Sequence, residues 1–294
     1  MSLKPRFEKR NLWPWRDWMT IGIGVLATSA SGRANNIVPD SVILVADTLG
    51  SWEDDDSHGR LHKAFMFPEV DMYAVSAGRV DCAAELLPII AQFLASIPKS
   101  ERTFGRIMYA VGAGCYSYKH DKFTVLEFPK LRLPPEAIDP KTVAPELNAF
   151  VHEHWTKFSI GCDLVLAAFD CDGRVALLQI SGDEHQVNNM GFPGFAAIGT
   201  GAPNAMFWLS RRQHTLGILP LRAAYHAYEA KLMAESSPHV NKHLDIIVAK
   251  GGKHWFSTTH SSLHSEPQHP EINPQNLKKM WKRYGPRDTA KIGA

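Results

Sequence analysis

Thr20, Asp47 and Lys63 are the residues of this chain whose types and order could carry chemistry. Thr20 opens an apolar run, Thr20-Ile-Gly-Ile-Gly-Val; Asp47 closes a second, Ser41-Val-Ile-Leu-Val-Ala-Asp47; Lys63 heads a third, Lys63-Ala-Phe-Met-Phe67. A threonine hydroxyl is a weak nucleophile at neutral pH until a base takes its proton, and one chemical solution uses the free α-amine of the same threonine. Such a threonine must be the first residue of the mature chain. A protonated lysine beside it would lower the proton affinity of hydroxyl and amine by its charge, and an aspartate would hold that lysine through an ion pair. Taken singly, each residue has a plainer role: a β-branched strand residue, a turn residue closing a strand, a solvated lysine at a strand edge. The ordered trio is what points to catalysis.

The elements that must position these residues are legible in outline. Strand signals fall at 20–27, 41–46, 63–67 and 71–77, broken by Gly, Asn, Pro and Asp clusters. Helical periodicity follows over 80–97, through Ala84, Leu87, Ala91 and Leu94, and over 104–118, through Ile107, Val111 and Cys115. The stretch 121–156 reads as an irregular insertion because it holds Pro129, Pro134, Pro135, Pro140 and Pro145, with a helical segment only near 148–155. Strands at 163–169 and 174–180 are joined by an Asp170-Cys-Asp-Gly173 hairpin turn. A strand at 195–199, helices at 202–213 and 220–235, and closing strands at 243–249 and 253–258 complete the pattern. The expected fold is α+β, a four-layer αββα sandwich of two facing sheets with helix pairs outside. Residues 1–19 read as an extension or propeptide, 20–258 as one domain, and 259–294 as a polar tail with a basic helical stretch at 274–284.

The ordered set of motifs resembles the β-subunits of the 20S proteasome and their bacterial relatives, which are N-terminal nucleophile (Ntn) hydrolases. Beyond Thr20, Asp47 and Lys63, the corner Ala74-Val-Ser-Ala-Gly78-Arg-Val-Asp81 is similar to the family's strand-to-helix turn, and Ile198-Gly-Thr200-Gly201 to its later Gly-Ser-Gly turn. Asp163 to Gly173 resembles the central hairpin, and His243 to Gly251 a strand near the end. The resemblance implies that the Gly78 backbone N–H stabilises an oxyanion. Thr200 stands in for a family serine, and Ser237 lies near the place of a family aspartate; both positions imply partners of the threonine amine. It further implies cleavage of peptide or amide bonds without metal or organic cofactor, and homo-oligomers that include rings, and it leaves an ATPase partner open. A non-catalytic scaffold in which Thr20 stays blocked, and an amidase for small amides, are the competing expectations.

Residues 1–18 are basic and carry Trp13, Trp15 and Trp18. Three readings stay open: autolysis at Met19-Thr20, translation from Met19 with removal of the methionine, and retention of the extension. A formal charge of +2 with scattered basic residues argues against nucleic acid as a partner. No run approaches eighteen apolar residues and the start lacks an apolar signal core, so a soluble cytoplasmic protein without a membrane partner is expected. Cys82, Cys115, Cys162 and Cys171 lack metal or disulfide-framework spacing and read as reduced structural thiols. Gly22-Ile-Gly24-Val-Leu-Ala27 imitates a dinucleotide fingerprint, but a strand continues through its glycines. The acidic run 53–56 reads as a solvated turn, and His254, His260, His264 and His269 fit no compact zinc site.

Overall fold

The computed structural model describes residues 21–29, 38–47, 63–131, 145–183, 186–237, 240–251, 253–258, 262–263 and 271–284. Thr20, the three N-terminal tryptophans, the acidic run 53–56 and His260, His264 and His269 lie outside these residues. The strands are β1 (Gly22–Ala27), β2 (Ser41–Ala46), β3 (Ala64–Phe67), β4 (Met72–Gly78), β5 (Cys162–Phe169), β6 (Val175–Ile180), β7 (Val187–Asn189), β8 (Phe195–Ile198), β9 (Asp245–Lys250), β10 (Lys253–Thr258) and β11 (Ser262–Leu263). The helices are α1 (Val80–Ala95), α2 (Phe104–Leu126), α3 (Phe128–Leu131), α4 (Pro145–Lys157), α5 (Ala202–Arg211), α6 (Pro220–Ala234) and α7 (Pro274–Tyr284). The chain is thus mixed α and β, with one six-stranded sheet in the order β11-β10-β9-β2-β1-β8 and one five-stranded sheet in the order β3-β4-β5-β6-β7. Neighbouring strands in both are antiparallel.

The central strands are apolar almost throughout because both of their faces are covered. Successive side chains point to opposite faces, and the two sets go to different cores. Ile23, Val25, Ile43, Val45, Ile246 and Val248 pack with residues of α5, α6 and α7. Leu26, Val42, Leu44 and Ile247 instead share a core with Tyr73, Val75, Val165 and Leu177 of the second sheet. The other side of that sheet, through Met72, Ala74, Leu164 and Leu178, packs on α1 and α2. Gly24 is required where the two sheets meet, since a Cβ there would lie 2.6 Å from Val165 Cγ1. The glycines of the supposed dinucleotide motif are therefore strand residues that allow close packing.

One expectation needs correction, and two strands were not expected. The stretch 121–156 is not irregular in its described part: α2 runs on to Leu126, α3 follows, and α4 occupies Pro145–Lys157. Pro129 and Pro145 stand in the first turns of α3 and α4, where the missing N–H has no helical partner to lose. Phe123 and Phe128 form a small core with Val151, Trp155 and Phe158, which joins the end of α2 to α4. Two short strands, β7 and β11, had no alternation long enough to show in the sequence. His254 lies on β10, within the closing strand expected at 253–258, and its ring lies 5.6 Å from that of Tyr73. By contrast α7 covers the basic stretch read from sequence, and its Leu277 is fully buried.

Candidate active site

Register brings the ends of several strands to one place. Gly22 at the start of β1 pairs with Ala46 at the end of β2 and with Ile198 at the end of β8, and Ala46 pairs in turn with Asp245 at the head of β9. Asp47 therefore emerges beside the start of β1, and the two backbones clasp: Asp47 N–H donates to Ile21 C=O at 3.2 Å. In the other sheet, Ser76 N–H of β4 donates to Lys63 C=O at 2.9 Å, which fixes Lys63 at the head of β3. The side chain of Lys63 crosses to the first sheet.

There its Nζ donates to Asp47 Oδ1 at 2.9 Å, with both side chains 1% exposed. The same oxygen accepts Ile21 N–H at 3.2 Å, and Asp47 Oδ2 receives a long contact of 3.5 Å from Asn241 N–H. Ile21 follows Thr20 directly in the chain. Burial drags the Lys63 ammonium below its ordinary pKa, opposed by the charge and hydrogen bond of Asp47 and then by the charge of Asp245. Lys63 is thus no solvated strand edge, which was its plainer reading. Burying an ammonium is costly unless it is paired and hydrogen-bonded, and here it has both.

The remaining sequence candidates lie on three other segments: the end of β4, the β8–α5 turn and the α6–β9 connection. Gly78 ends β4 opposite Cys162 with φ +87°, a left-handed conformation, and a Cβ would fall 2.8 Å from Gly161 O. It is the tight strand-to-helix corner expected, with α1 starting at Val80. Thr200 is exposed in the β8–α5 turn, and the N-cap of α5 is Gly201. Gly201 packs close to the start of β1, where a Cβ would lie 3.3 Å from Ile21 Cδ1. Ser237, on the α6–β9 connection, accepts from Asn204 Nδ2 at 3.1 Å, as Ser236 does. Among the described residues no hydrogen bond joins Gly78, Thr200 or Ser237 to Asp47 or Lys63.

Three further residues were missed from sequence. Asp245 is fully buried at the head of β9. The available signal was an aspartate opening one apolar strand as Asp47 closes its neighbour. Lys231 on α6 is 1% exposed, ion-paired with Glu235 and hydrogen-bonded to Asn241 C=O at 2.6 Å. In the sequence Lys231 and Glu235 look like an ordinary i,i+4 surface pair. Asn241 carries no signal of its own, because it acts through its backbone.

The four cysteines carry free thiols, with Cys171 exposed in the hairpin turn and the others buried. Burial pushes the Cys115 thiol up to about 12, far from thiolate chemistry. Among the described residues no group of three or more His, Cys, Asp or Glu side chains could hold a metal ion, and no helix is long and apolar enough to cross a membrane. The arrangement can hold a buried ammonium rigidly beside the peptide that follows Thr20. The chain matches no protein-family model and no curated protein.

Proposed function

We propose that this chain is a threonine-type N-terminal nucleophile hydrolase that cleaves peptide or amide bonds, built as a four-layer αββα sandwich of the proteasome β-subunit kind. The observation that carries the reading is the buried Asp47–Lys63 ion pair, whose carboxylate also binds the N–H of the residue after Thr20. The layering is supported by three separate cores, one between the sheets and one under each set of helices. In the proposed reaction the Thr20 hydroxyl attacks the carbonyl carbon of the substrate while the Thr20 α-amine takes the hydroxyl proton. The amine then returns that proton to the leaving amine, and water hydrolyses the ester that remains. Lys63 contributes its positive charge, Asp47 keeps Lys63 in place, and the Gly78 N–H donates a hydrogen bond to the developing oxyanion. Thr200 and Ser237 are assigned to the surroundings of the amine.

The test begins with intact mass and N-terminal sequencing of the protein from its native host. A chain that starts at Thr20, is acylated there by a peptide β-lactone and loses at least ~10³-fold of its amide hydrolysis in Thr20→Ala and Lys63→Ala would support the proposal. Hydrolysis undiminished in Thr20→Ala would end it. A native chain that retains Met1 would favour the non-catalytic scaffold.

A further inference from the structure

We propose that Lys231 is a positioning residue of the candidate site, holding Asn241 and the α6–β9 connection against Asp47, so that Asp47 is flanked by Lys63 directly and by Lys231 through Asn241. The catalytic consequence of this role rests on the hydrolase reading, while the positioning itself does not. Lys231 projects from α6 into the protein and is as buried as Lys63. An ammonium pairs with a carboxylate one turn away just as well on a helix surface, so the pair with Glu235 gives no reason for burial. The second partner does. Lys231 Nζ donates to the backbone carbonyl of Asn241 at 2.6 Å, a contact between the helix and the connection that follows it.

Asn241 passes that constraint on. Its N–H faces Asp47 Oδ2 at 3.5 Å, and its side-chain oxygen accepts His243 N–H at 3.0 Å, which shapes the turn just before Asp245. Ser237 is tied to α5 on the same connection. The charge of Asp47 is also felt at Lys231, where, after Glu235, it opposes the loss of proton affinity caused by burial. An apolar side chain of similar length would fill the space equally well. What it could not do is hold a carbonyl and share the field of Asp47. Losing the hold of Lys231 on Asn241 should withdraw the Asn241 N–H from Asp47 Oδ2 and leave more of the carboxylate's charge to Lys63.

The experiment is a titration of the Lys63 side chain by heteronuclear NMR in the full chain, with lysine labelled and the Lys63 signal assigned from its loss in Lys63→Arg. In Lys231→Met the Lys63 midpoint should rise by about one pH unit, a tenfold gain in proton affinity, and in Lys231→Arg it should stay within a few tenths of the wild type. An unchanged midpoint in Lys231→Met, or a Lys231→Arg that moves as far as Lys231→Met, would overturn the assignment. Should Lys231→Met not fold, Lys231→Gln keeps a donor for the Asn241 carbonyl but loses the charge; a Lys63 midpoint within a few tenths of the wild type is expected there, and a rise of about one pH unit would assign the effect to charge alone and refute the positioning role. Labelling of Thr20 by the peptide β-lactone across pH provides the second readout, with the optimum displaced in Lys231→Met and restored in Lys231→Arg; an optimum that does not move removes the catalytic consequence. A wild-type chain that never labels refutes the hydrolase reading instead, and the Lys63 titration still decides the role of Lys231.

Discussion

One oxygen of Asp47 serves two donors, the Lys63 ammonium and the Ile21 N–H, and this sharing sets the energetic character of the site. Two opposite charges taken out of water gain little over a well-packed apolar pair, but either one left alone in the interior is severely penalised. Asp47→Ala should therefore destabilise the protein by about 3–5 kcal/mol, seen as a lower midpoint of chemical denaturation. Asp47→Asn should cost less, since an amide oxygen still accepts from both donors. The double variant Asp47→Asn/Lys63→Met should recover part of the loss. Small costs for both Asp47→Ala and Asp47→Asn would mean that the pair is solvated, contrary to its burial. Asp47 and Lys63 could be picked from sequence because each stands at an end of an apolar run. Lys231 could not, since nothing in a lysine four residues before a glutamate says whether the helix face bearing it meets water or protein.

Among the elements, the connection from α5 to α6 is held to β1 by two buried histidines. His214 Nε2 lies 3.0 Å from Leu26 C=O, which can only accept, so Nε2 carries the proton and Nδ1 is free to accept. The facing His226 Nδ1, at 3.3 Å, must then be the donor. Both rings are neutral in this arrangement. Burial lowers His214 to about 4, with the Leu26 carbonyl opposing and Arg222 assisting; burial also lowers His226, helped by His214, Arg222 and Arg212. Folded values below the unfolded value of about 6.5 mean that the unfolded chain binds the protons first. The stability contributed by the pair is complete above about pH 6.5 and is lost as the pH falls toward 4, at up to about 1.4 kcal/mol per pH unit for each ring. Thermal denaturation followed from pH 7 to 4 should show this slope, and His226→Leu should flatten it by about half. A slope unchanged by that substitution would place the acid sensitivity elsewhere. These histidines had no signature in the sequence, because one partner is a backbone carbonyl 188 residues away.

At the scale of the whole molecule, the core shared by the two sheets ties them into one cooperative unit. Amide exchange should be slowest in β1, β2, β4 and β5, opening together with the global free energy, while the ends of α3 and α4 exchange sooner. Exchange of one sheet well ahead of the other would contradict a shared core. The sequence by itself determined the longer strand runs, the hairpin at 170–173, the corner at Gly78 and the extent of α7, each of which depends on local period or turn chemistry. It singled out Asp47 and Lys63, but their contact is made between the two sheets. Tertiary structure alone decided that α2 runs on to Leu126 and α3 follows, so that the helix read near 148–155 is only one of the helices in 121–157, that Gly201 caps α5, and that Lys231, Asn241 and Asp245 converge on Asp47. The physical reason is common to all three: whether a polar group is buried, and what satisfies it there, depends on which distant segments close over it, and that is written in packing between elements and not within any one of them.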